Sequence, residues 1–194
     1  MQMPHSLPGL LMETERLLLR APQPDDLPAL QQLLAEPAQQ RFERVDPQQA
    51  SERLALWRAD WVSQGQGPWA VLLRDAPELG ALGFGGLRHQ RLAGTPALLL
   101  SFSFRSQFWG QGYAAEMALA ALGLAFGSLG AGAVQALLPP GNAAARKTLE
   151  RLGLHLKGSL AEVPGQAPSL LYEITAQQHA LRPLQRPEPT PFGA

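Results

Sequence analysis

The segment FRSQFWGQGYAAEM, residues 104–117, constrains this chain more than any other. The apolar run PALLLSFSFR (96–105) enters it as a strand, and the alanine-rich run GYAAEMALAALGLAFGSLG leaves it as a helix. A strand, a glycine-spaced turn and a helix in that order aim several backbone N–H groups and the positive end of a helix dipole at one point. Gly110 and Gly112 remove the Cβ atoms that would hold an anion off the main chain, and Ala114 and Ala115 leave the helix entry uncrowded. The turn reads as a pyrophosphate cradle; the competing reading is a tight turn whose glycines serve packing alone. It is not a P-loop, because GxxxxGK[ST] is absent and Lys147 and Lys157 are the only lysines. Nor is it the dinucleotide fingerprint GxGxxG, which needs glycine where Ala115 stands.

The flanking segments read as an α/β (α+β) domain. RLLLRAP (16–22) predicts a strand and PDDLPALQQLLAEP (24–37) a helix with carboxylates at its start. DPQQASERLALWRADWVSQG (46–65) predicts a second helix, stopped at Gly65, with Leu54, Trp57 and Trp61 as a core stripe. PWAVLLRDA (68–76), GALGFGGLRH (80–89) and 96–105 read as three successive strands. After the turn and its helix come a strand at 133–140 and a helix over 142–153 capped by Asn142. A hairpin follows from 155–163 to 169–176. Residues 1–11 read as an extension, 12–176 as one domain and 177–194 as a proline-rich tail.

Composition narrows the partners. The formal net charge is +0 with 16% charged residues, which gives no electrostatic footprint for nucleic acid or an anionic membrane. There are no cysteines, so disulfides, thiolate metal sites and a cysteine nucleophile are excluded together. The four histidines show no ligand spacing, and no metal is expected. With no basic leader and no apolar run of membrane length, the expectation is a soluble, cytoplasmic protein.

QFWGQG fits the Q/R-x-x-G-x-G/A signature of the GNAT N-acetyltransferases, and FWGQGYAAEM resembles its form in the RimJ/RimL branch. TERLLLR (14–20) resembles that branch's first strand, and NAAARKTLERLGL (142–154) its later helix segment. The resemblance implies a mixed sheet of six or seven strands, splayed between the fourth and fifth, with about four flanking helices and acetyl-CoA as acyl donor in the opening. It implies that the N–H groups of Trp109, Gly110, Gln111, Gly112, Tyr113 and Ala114 hold the pyrophosphate. The pantetheine arm would pair along Phe102, Ser103 and Phe104, with Asn142 at its end and Arg146 toward the nucleotide phosphates. The acceptor would be an amine on a peptide or small molecule, and a homodimer is an admissible assembly.

The chain departs from the family where chemistry is usually carried. The fourth-strand position often held by glutamate is Leu99, the serine of N-x-x-S is Ala145, and the position of a frequent tyrosine acid is Leu149. Substitute bases are His89, a residue type suited to proton transfer at neutral pH, and Glu43, each weighed against an ordinary solvated side chain. Ser101 and Ser103, on the same strand face as Leu99, are candidates for a water relay. Two readings follow: an N-acetyltransferase working by direct attack in a ternary complex, and a non-catalytic acyl-CoA-binding module.

Overall fold

The computed structural model describes residues 10–42, 46–161 and 167–181. Its strands are β1 (Leu10–Glu13), β2 (Leu17–Arg20), β3 (Pro68–Leu73), β4 (Gly83–Leu92), β5 (Thr95–Phe104), β6 (Ala133–Leu138), β7 (His155–Leu160) and β8 (Ser169–Thr175). They form one mixed sheet in the order β1-β2-β3-β4-β5-β6-β8-β7. Every neighbouring pair is antiparallel except β5 and β6. The helices among the described residues are α1 (Leu27–Ala35), α2 (Pro37–Gln40), α3 (Ala50–Gln64), α4 (Tyr113–Phe126), α5 (Ala143–Arg151) and α6 (Ala176–Ala180).

The sheet has eight strands rather than the expected six or seven. The additional one is β1, which begins inside the segment expected to be an extension and pairs Met12 with Leu19 and Glu13 with Leu18. Four helices match expectation; α2 and α6 are single-turn additions of four and five residues. α6 carries the fold past residue 176, because Thr175 and Gln178 close a capping box at its start. The β4–β5 hairpin is also longer than expected. It turns through Ala93 at φ 46° and Gly94 at φ 83°, so Gln90, Arg91 and Leu92 remain in register with Ala97, Pro96 and Thr95.

Period-two alternation divides the sheet into two packed faces. Leu18, Ala70, Leu72 and Phe84 face Leu30, Leu33 and Leu34 of α1 and Leu54 of α3. Leu17, Leu19, Val71, Leu87, Leu98 and Leu100 face Met117, Ala118, Ala121, Leu122 and Ala125 of α4, with Leu149 of α5 beside them. Alanines on α4 let that helix lie close against the strands, and β4 answers with glycine. A Cβ on Gly85 would stand 2.7 Å from Met117 Cε and 2.7 Å from the Ser101 carbonyl oxygen. At the chain's entry, Arg20 holds the buried Asp26 through two 2.7 Å contacts while the Gln23 N–H donates to the same carboxylate. That pairing satisfies a charge buried ahead of α1.

Two glycine substitutions separate these effects. Gly85→Ala should destabilise by about 1–3 kcal/mol through overpacking against the β5 main chain. Gly123→Ala, inside α4 where an added Cβ meets nothing within 4 Å, should stabilise by up to about 1 kcal/mol. Denaturant melts of the two variants check both signs.

Candidate active site

β5 ends at Phe104 and leads through a 3₁₀ turn, Ser106–Phe108, into α4. Gly110 at φ 75° and Gly112 at φ 82° reverse the chain, and no side chain caps the first turn of α4. The leading N–H groups of a helix have no intrahelical acceptor. At this end they are gathered behind two left-handed residues, the arrangement an anion requires. At Gly110 the requirement is conformational: an added Cβ meets nothing within 4 Å, yet φ lies where side chains are strained.

The turn is held from behind by an ion-pair cluster. Glu116 Oε1 accepts from Thr14 Oγ1 at 2.6 Å and from the Arg16 N–H at 2.8 Å, while Arg16 Nε donates to Oε2 at 2.7 Å. The same guanidinium donates from Nη1 to the Gln111 carbonyl at 2.9 Å and lies 4.7 Å from the Tyr113 ring centroid. Burial raises the Glu116 pKa, but hydrogen bonds from Thr14 and from the Arg16 main chain and side chain, with the Arg16 charge, outweigh it. The carboxyl is held below its ordinary value.

Between β5 and β6 the sheet opens. A single bridge, Leu99 to Gln135, joins them. The Arg105 N–H bonds Leu82 across β4, so by alternation Ser103 and Ser101 also turn their main chains to β4 while Phe102 and Phe104 face the opening. Phe104 is partly occupied, its carbonyl accepting from Trp109 Nε1 at 2.6 Å and from Gln39 Nε2 at 2.7 Å. Of the expected pantetheine-pairing positions, Phe102 therefore carries the open main-chain groups, and Ser103 contributes its side chain to the neighbouring cleft.

That cleft, of about 480 Å³, lies on the α1/α3 face of the sheet. Leu99, Ser101 and Ser103 form its β5 side, Phe84, Arg88 and Gln90 its β4 side, and Trp57, Glu52 and Arg53 of α3 its wall. Trp57 packs against Phe84 with the rings tilted at 34° and their centroids 5.6 Å apart. Arg88 Nε is tied at 2.7 Å to the buried Asp60. Leu99 is itself buried and gives the cleft an apolar floor.

The expected base candidates separate. Ser101 and Ser103 reach the cleft. His89 does not: it is exposed, pairs with Leu98, and shares its strand face with Leu87 of the α4-side core, whereas Arg88 and Gln90 point into the cleft. Glu43 falls outside the described residues. Asn142 Oδ1 accepts from the Ala145 N–H at 3.1 Å and caps α5; Arg146, exposed, lies 3.9 Å from Glu150. Sequence reasoning missed Glu52, Arg53, Arg88 and Gln90. It placed Trp57 in the core, where its ring packs, on a helix that the family resemblance sets beside the acceptor site, and the ring lines the cleft as well.

The fold has relatives. A family model described as an acetyltransferase (GNAT) domain matches residues 16–155. The acetyltransferase from Agrobacterium tumefaciens str. C58 superposes with a TM-score of 0.72 at 25% identity, over 90% of this chain and 98% of that one. A spermidine N-acetyltransferase SpeG chimera from Vibrio cholerae and hSSAT superposes at 0.69 with 19% identity, covering 86% and 99%, a likeness of fold alone. The Bacillus subtilis protein YkkB is 30% identical over 92 residues, 47% of this chain. The match spans about half of that relative's length, 52%.

The Glu116 cluster has a pH signature. A carboxyl whose folded pKa is depressed adds stability above its unfolded value, near the ordinary 4.5, and loses it as pH falls through the lower folded value. Glu116→Gln should therefore be less stable than the parent at pH 7, and the gap should shrink below about pH 4.5. Thermal melts across pH 3–7, on the order of one per half unit, check this; a gap independent of pH would refute the assignment.

Proposed function

Because the chain belongs to the GNAT acetyltransferase family, we propose that it is an N-acetyltransferase of the RimJ/RimL-like branch. It takes acetyl from acetyl-CoA and delivers it to a primary amine, acting as a single domain over about residues 12–176 in the cytoplasm. The observation that carries this reading is the continuity of three features. The positive-φ turn at Gly110 and Gly112, the open β5 edge at Phe102 and the cleft beside Ser101 and Ser103 succeed one another along one strand and its exit.

The residues fit the donor. Uncapped N–H groups from Gly110 to Ala114 take the pyrophosphate, the expected Trp109 N–H being already given to the Ser106 carbonyl at 3.1 Å; the Phe102 main chain pairs with the extended arm, and Asn142 and Arg146 are further contacts for the donor. Acetyl-CoA supplies a thioester; the acceptor nitrogen would attack its carbonyl carbon, the C–S bond would break, and the proton would leave the nitrogen as the departing CoA thiolate is protonated. The chain's own part is mostly placement, which brings large rate gains when reacting atoms are held in contact. Ser101 and Ser103 offer hydroxyls on the cleft face for a water-borne proton. Neither a carboxylate nor an imidazole stands on the described β5 face of the cleft, and Leu99 occupies the position usual for the base. That same substitution supports the second reading, an acyl-CoA-binding module without turnover.

Two measurements test the proposal. CoA and acetyl-CoA should raise the melting temperature by mass action where NAD and ATP do not, and Gly112→Val should abolish the shift while remaining folded. No shift at millimolar acetyl-CoA, a concentration of order 10⁻³ M, would refute both readings. With an active acceptor, the limb of kcat/KM should follow the basicity of each free amine and be unchanged in His89→Ala. A limb near pH ~6–7 that stays fixed across amines and vanishes in His89→Ala would overturn the base-free mechanism. Binding of acetyl-CoA with no transfer to any amine would select the module.

A further inference from the structure

Resting on the acetyltransferase reading, we infer that the acceptor is a singly charged amine on an apolar body, such as an alkyl or arylalkyl amine or a hydrophobic peptide N-terminus, and not a polyamine. Charge and surface in the cleft carry this. Among the described residues that line it, Glu52 is the one carboxylate, and Arg53 stands next to it on the same turn of α3. Arg88 is neutralised by Asp60 from the next turns of that helix. The charges thus sum to zero over Glu52, Arg53, Arg88 and Asp60, and the described lining offers a second or third ammonium no carboxylate beyond Glu52.

Gln49, Gln90, Ser101 and Ser103 add uncharged polar groups to the lining, and the rest of it is apolar. Leu30, Leu33 and Leu34 of α1, Trp57 of α3, and Phe84 and Leu99 on the sheet supply that apolar part, with Trp57 and Phe84 in tilted contact. At about 480 Å³ the cleft has the size of small-molecule sites, wide enough for an alkyl or aromatic body alongside the thioester end of the donor. Its β5 side is the edge that borders the opening toward β6, so an amine whose body lies on the α1/α3 wall presents its nitrogen along Ser101 and Ser103. Glu52 is the group placed to receive one ammonium on entry, and binding strength then comes from the leucines, Trp57 and Phe84.

The test uses the full chain saturated with CoA and reads amine binding from the melting temperature, so that it stands whether or not turnover is seen. n-Butylamine, n-hexylamine and n-octylamine should raise the melting temperature with apparent affinities tightening about fourfold per methylene, with little dependence on salt. Spermidine should bind at least about 100-fold more weakly than n-octylamine, since the described lining offers it one carboxylate. Leu56→Glu, at an exposed wall position, should leave the fold intact, weaken n-octylamine about tenfold and improve spermidine. Tighter binding of spermidine than of n-octylamine, affinity that collapses with added salt, or no binding of any alkyl amine would each overturn the inference. A failure of the acetyltransferase reading would show separately, as the absence of a melting shift with acetyl-CoA alone.

Discussion

One bridge, Leu99 to Gln135, is what keeps this sheet a single sheet, and the site exists because there is only one. β5 is committed to β4 along its whole length, from Thr95 to Phe104, and β6 is committed to β8 from Ala133 to Leu138. Each strand follows the twist of its antiparallel partner, so the two halves diverge beyond the bridge and cannot close over the gap. An open edge is ordinarily a site for unwanted pairing. Here it is short, since the Phe104 carbonyl is taken by Trp109 and Gln39, and what remains is a length of main chain fit for one extended ligand.

The same economy of placement governs the helix that follows. An acid in the first turn of a helix normally folds onto the leading N–H groups and satisfies them. Glu116 occupies such a position in α4, yet both its oxygens are drawn backward by Thr14 and Arg16, which leaves the first turn uncapped. Arg16 in turn fixes the Gln111 carbonyl, so the shape of the turn depends on a residue about a hundred positions away in β2's approach. The short β1–β2 hairpin, an addition to the expected sheet, lies beside that anchor and belongs to the scaffold of the site.

Most of this was legible in the sequence. The turn, the strands on either side of the opening and the Asn142 cap could be read because each depends on local chemistry: glycine for positive φ, alternation for strands, an amide for a helix start. The misses came from chain geometry that local chemistry does not announce. β4 was expected to end near His89, because Ala-Gly is a weak turn signal and RHQR is polar. The hairpin in fact continues to Leu92, and that continuation decides orientation: once 87–92 is strand, Leu87 and His89 share one face and Arg88 and Gln90 the other. Glu52 and Arg53 were invisible as cleft residues because only packing reveals which flank of α3 meets the sheet. β1 is four residues long, too short for its alternation to register.

Leu99 has a consequence that reaches beyond a missing acid. An ammonium moved from water onto an apolar floor loses hydration that its neutral form does not need, so its own pKa falls. On the acetyltransferase function proposed above, a leucine at this place would favour the uncharged nucleophile by solvation alone, and more strongly the more completely the acceptor filled the cleft. A poorly filling amine leaves water beside its nitrogen and keeps its proton. In such a site selectivity and activation are one property of the wall, and a substrate prepares itself by fitting.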